Sequence, residues 1–86
     1  MNINKLIKIV KSKIEAEIVM QDFKIEDKSF LHKNHKGHQE GKFHLKLLIK
    51  SNELTKFNKI EATKKIYSIL DKEIKEYIHS IQVLFN

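Results

Sequence analysis

From Ile3 the apolar residues recur at Ile3, Leu6, Ile7, Val10 and Ile14, the stripe of an amphipathic helix. The lysines at 5, 8, 11 and 13 fall mostly off that stripe. Such a segment fits either a membrane surface or a protein core, and a domain this small needs the face for its own core. Ile18 and Val19 lead into Phe23–Asp27, where apolar and polar residues alternate with the period of a half-buried strand. Alternation resumes at Phe43, Leu45, Leu47 and Ile49, with His44, Lys46 and Lys50 opposite, and predicts a second strand. Between the two, residues 28–42 keep no period and contain both glycines of the chain, Gly37 and Gly41, so they read as an exposed loop.

A short helical turn is predicted within Ser51–Phe57. Asn58 followed by Glu61 has the spacing of a capping box, which opens a longer helix. Ile60, Ile66, Tyr67, Leu70 and Ile74 give that helix an apolar face to about residue 75. The closing run from Ile78 to Phe85 is rich in β-branched and aromatic residues and suits a last strand. The element order is αββααβ. There is no repeat and no linker, and residues 1–86 are expected to form one domain.

This order has a consequence for the histidines. Strands two and three are joined through helices, and such crossovers connect parallel strands, so both begin at the same edge. Strand one meets strand two through a loop and is expected to run antiparallel to it, which brings the loop to that edge as well. His32, His35 and His38 in the loop, His44 at the head of strand two and His79 at the head of strand three should therefore converge. Neutral imidazole is a good ligand for zinc, copper, nickel and iron. The HxxHxxH loop with further histidines nearby reads either as a metal site or as a hydrophilic loop that takes metal adventitiously. His79 shares strand parity with Ile81, Val83 and Phe85, which predicts a partly buried ring satisfied by backbone.

Composition narrows the chemistry. The 86 residues contain no cysteine, so disulfides, thiolate nucleophiles and a cluster held by the chain's own sulfurs are excluded. A reducing cytosol agrees with this, and a cytoplasmic location is expected. No apolar run is long enough to cross a membrane, and lysines interrupt the N-terminal apolar positions, against a secretory signal. Seventeen basic residues against 11 acidic ones give a net charge of +6, and every basic residue is lysine. Positive charge favours acidic partners, but the bidentate forks that arginine offers to bases and phosphates are missing. Catalysis has no foothold: there is no nucleophile arrangement, no phosphate loop and no paired carboxylate, so no small-molecule substrate is expected.

The stretch FKIEDKSFLHKNHKGHQEGKFHLKLLIKS from Phe23, with the later IYSILDKEI and IHSIQV, resembles the BolA family over roughly three quarters of the chain. The most telling pieces are the Asp27 and Ser29 pair, the histidine loop, the strand from His44 to Ser51 and the Ile78–Ile81 start of the last strand. The resemblance implies an α+β, class II KH-like αββααβ fold, a three-stranded mixed sheet with helices packed on one face. It also implies that a loop Cys or His and the histidine opening the last strand bind a [2Fe-2S] cluster shared with a monothiol glutaredoxin.

The matching ligands are His32, three residues after Ser29, and His79, with His35, His38 and His44 as secondary candidates. Thiolates would come from the glutaredoxin and its glutathione, and the isolated chain would hold no cofactor tightly. Histidine ligation at one iron is expected to raise the reduction potential and make the cluster sensitive to imidazole protonation.

A second family role, DNA binding as a transcriptional regulator, would use Lys56, Lys59, Lys64 and Lys65 near the start of the long helix. This chain departs from the family there. Ala62, Thr63 and Lys64 replace an Arg-His-Arg-like signature, and Thr55, Lys56 and Phe57 replace the usual glycine turn. Those losses weaken the DNA role more than the cluster role.

Overall fold

Asn2 opens the first helix, α1 (Ile3–Glu17), by accepting the Lys5 N–H on its side-chain oxygen at 2.8 Å. The predicted stripe is the buried one: Leu6, Val10 and Ile14 are fully covered. The computed structural model describes residues 1–29 and 42–86, and the loop histidines His32, His35 and His38 lie outside the described residues. β1 (Asp22–Asp27) pairs antiparallel with β2 (Phe43–Lys50), and β2 pairs parallel with β3 (Ile78–Phe85). The order β1-β2-β3 makes a mixed three-stranded sheet with β2 in the centre.

Leu45, Leu47 and Ile49 of β2 meet the α1 stripe, Ala62, Ile66 and Leu70 in one core. Each Leu, Ile or Val among them contributes on the order of 1.5–3 kcal/mol by leaving water. The opposite face of β2 carries His44, Lys46, Leu48 and Lys50, so the helices cover one side of the sheet only. Among the described residues no helix is long and apolar enough to cross a membrane.

After β2, Ser51 turns the chain. Its buried hydroxyl donates to the Val19 carbonyl at 2.7 Å and accepts the Leu54 N–H at 3.3 Å, which starts a one-turn 3₁₀ helix (Leu54–Lys56). Asn58 then caps α2 (Lys59–Ile69), accepting the Glu61 N–H at 2.8 Å as the capping-box spacing predicts.

The single long helix expected to about residue 75 is instead two. α2 ends at Leu70, whose ψ of 16° leaves the helical range, and α3 (Asp71–Glu76) follows it directly. Leu70 is fully buried and Glu73 is 3% exposed, so the bend keeps both helices against the core. Glu73 is matched there by Lys13 of α1, whose Nζ lies 2.9 and 2.8 Å from its two carboxylate oxygens. That contact fixes the short helix that delivers the chain to β3.

Candidate metal centre

The start of β3 departs from regular pairing. Phe43 faces Ile78, but the next residue, His44, faces Ser80, so His79 is an extra residue in a β-bulge. The bulge changes the strand's parity. Ile78 before it and Val83 after it are both buried although an odd number of positions separates them. His79 does not join the row of Ile81, Val83 and Phe85, and its ring is exposed rather than half-buried as parity predicts. The signal was present in the sequence: Ile78 and Ile81, three apart, cannot share a face of an unbroken strand.

His44 is held from several directions. It is 5% exposed, and its Nδ1 lies 2.6 Å from the Ser80 hydroxyl. A hydrogen bond this short fixes the ring plane in either tautomer. The His79 ring lies beside it, with centroids 4.9 Å apart and planes tilted by 57°. Two imidazoles from strands remote in sequence thus meet at one end of the sheet, as the connectivity predicts.

The same end receives the chain leaving β1. Beyond Asp27, the Lys28 N–H donates to the His44 carbonyl at 2.8 Å. The Asp27 carboxylate accepts the Ser29 N–H at 2.9 Å, a side-chain turn that swings the Ser29 hydroxyl inward. That hydroxyl accepts the His44 N–H at 3.0 Å, replacing the partner a longer β1 would have supplied. The Asp27 and Ser29 pair therefore ties the departing loop to the backbone of His44. Ser29 and Ser80 are the supporting residues that sequence reasoning missed as site components.

Among the described residues, no group of three or more His, Cys, Asp or Glu side chains is arranged to hold a metal ion. A metal at His79 therefore needs donors from beyond the described residues or from another molecule. His44 Nδ1 is engaged by Ser80.

The lysines proposed for phosphate contacts lie elsewhere. Lys56, Lys59 and Lys64 are exposed around the start of α2, whereas Lys65 is half-buried with its Nζ 5.3 Å from the Phe57 ring centroid. They follow the far end of β2, roughly 20 Å from His44 at about 3.3 Å of rise per residue.

Comparison with known proteins agrees with this architecture. The chain is 29% identical over 73 residues to the DNA-binding transcriptional regulator BolA of Haemophilus influenzae, covering 85% of this chain and 68% of that protein. The BolA domain of SufE1 from Arabidopsis thaliana superposes with a TM-score of 0.79 at 22% identity, over 100% of this chain and 93% of that one. BolA1 from Arabidopsis thaliana gives 0.78 at 22% identity, over 92% and 87% of the two chains. Residues 14–85, from within α1 to the end of β3, match the family model described as BolA-like protein. The chain belongs to the BolA family.

Proposed function

We propose that this protein is a non-catalytic adaptor that joins a monothiol glutaredoxin and shares a [2Fe-2S] cluster with it, in cluster maturation and trafficking or in iron regulation. The observation that carries this reading is the exposed His79 ring, lifted from the strand by a bulge and set beside an oriented His44. The donor chemistry fits such a cluster. Imidazole ligates iron, and a chain without cysteine must receive its thiolates from the glutaredoxin and its glutathione.

His79 supplies one ligand. His32 supplies the second, with His35 and His38 as alternatives in the same loop. Ser29, the last described residue before the loop, is anchored to the His44 backbone. When bound, the cluster supplies one-electron chemistry or is itself the cargo. The chain's own residues bind and orient: Ser80 fixes the His44 ring, and the Asp27–Ser29 turn holds the root of the loop.

The test is co-expression with a monothiol glutaredoxin, followed by purification and visible absorption of the complex. A coloured heteromeric complex whose spectrum shifts in His79→Ala and in His32→Ala is expected. A complex whose spectrum is indifferent to His79→Ala refutes the ligand assignment.

A second reading, a DNA-binding transcriptional regulator on the KH-like scaffold, has two supports. The Haemophilus relative is named for that role, and Lys56, Lys59 and Lys64 present exposed ammonium groups around the start of α2. The turn between the 3₁₀ helix and α2 has no glycine, unlike the GXXG loop by which KH domains clamp a nucleic-acid backbone. Binding through these lysines should fall steeply with added salt. Fluorescence anisotropy with duplex and single-stranded probes that finds no salt-dependent binding disposes of this reading.

A further inference from the structure

The two edges of the sheet differ in kind. Along the β1 edge stand Asp22, Lys24, Glu26 and Asp27, with Glu26 3.6 Å from the ammonium groups of both Lys24 and Lys28. Charges of this density guard an edge against pairing with another strand. The β3 strand carries no such charges. From Ile78 to Asn86 there is no Lys, Asp or Glu, in a chain that is 33% charged.

The outer row of β3 can be read from its inner bonds. The Asn86 N–H donates to the Ile49 carbonyl at 2.9 Å, so residues of its parity turn their backbone groups toward β2. Ile81, Val83 and Phe85 therefore turn theirs outward. The Tyr67 hydroxyl confirms the direction by donating to the Ile81 carbonyl from outside at 3.2 Å. Among the described residues that is the one hydrogen bond this outer row receives, and a carbonyl oxygen has a second lone pair to offer.

We propose that β3 is the interface for a second copy of this chain, paired antiparallel about a two-fold axis at Val83. A strand without charges lets a second copy be the occupant despite the net charge of each molecule. Two molecules of net charge +6 repel, and the uncharged β3 strand lets them meet without opposing like charges. The strand is also self-complementary in this register. Val83 faces its own copy, Ile81 faces Phe85 twice, and Gln82 faces Leu84 twice. Ile81 and Phe85 are half-buried, and a β-branched residue opposite an aromatic one is a favourable cross-strand pair. The result is a continuous six-stranded sheet with β1 at both outer edges and a closed, isologous contact. The paired span, Ile81 to Phe85, leaves the bulge at His79 outside it, so this inference stands independently of the cluster reading.

Sedimentation of the full chain over a wide concentration range tests it, together with amide exchange. A monomer–dimer equilibrium is expected, with the Val83 and Phe85 amides gaining protection as concentration rises. Gln82→Lys/Leu84→Lys opposes like charges at both symmetric cross-strand positions and should weaken dimerisation about tenfold or more. Gln82→Lys/Leu84→Glu opposes unlike charges in the same register and should restore it. Far-UV circular dichroism checks that both variants fold, and exchange in the unmodified chain needs neither. A single-chain mass up to millimolar concentration overturns the proposal and leaves the edge to another strand or to none. So does a dimer that both double variants leave unchanged.

Discussion

Glu73 is the most exacting residue in the helical layer, and Lys13→Met tests what its ion pair contributes. Its side chain is 5% exposed, while that of Lys13 is 40% exposed, so one partner is desolvated and the other reaches water. Removing a partner from a fully buried pair costs about 3–5 kcal/mol, because a charge is stranded, whereas exposed pairs contribute about 1 kcal/mol or less. With one end open to water, Lys13→Met is expected to cost about 2–3 kcal/mol. For a domain of this size that lowers the melting temperature by roughly 10–20 °C. Lys13→Met/Glu73→Leu removes both charges and should recover most of the loss, since an apolar pair of similar volume needs no desolvation to be offset. Urea unfolding followed by circular dichroism gives all four corners of the cycle. If Lys13→Met lies within about 0.5 kcal/mol of the unmodified chain, or the double variant is no more stable than the single one, the pair does not anchor α3 as described.

Three further outcomes follow from the site and its supports. Ser29→Ala removes the acceptor of the His44 N–H and should cost about 1 kcal/mol in urea unfolding, with faster exchange of the His44 amide; unchanged exchange counts against the tether. Ser80→Ala leaves the buried Nδ1 of His44 without its hydroxyl and should cost about 1–3 kcal/mol and loosen the His44–His79 ring contact, read from nuclear Overhauser effects; a ring contact as firm as before argues against Ser80 as the orienting group. Asn58→Ala removes the α2 cap and should cost about 1 kcal/mol, with Asn58→Asp close to neutral; equal losses in the two variants would mean that the cap hydrogen bond is not what Asn58 contributes.

Elements whose periods are local were legible in the sequence. The stripe of α1, the alternation of β2 and the Asn58 cap each depend on residues within one or two turns. The parallel and antiparallel pairings followed from connection length alone, and with them the meeting of His44 and His79. Two features were hidden because their causes are tertiary. The break at Leu70 answers to the burial of Leu70 and Glu73 and to Lys13 on another helix, while the apolar period runs through it. The bulge at His79 does leave a trace in the odd spacing of Ile78 and Ile81, but reading it requires knowing that both face the core. Ser29 and Ser80 bond to His44 across 15 and 36 residues, distances at which a serine gives no pattern to read.

The central claim concerns which atoms hold iron, and nitrogen hyperfine coupling addresses it directly. The chain is labelled with ¹⁵N-histidine, assembled with unlabelled monothiol glutaredoxin and glutathione, reduced by one electron and measured by pulsed electron paramagnetic resonance. A strong ¹⁵N coupling that weakens in His79→Ala is the result the account predicts. A cluster with sulfur ligation alone and no coupling to ¹⁵N from this chain would contradict it.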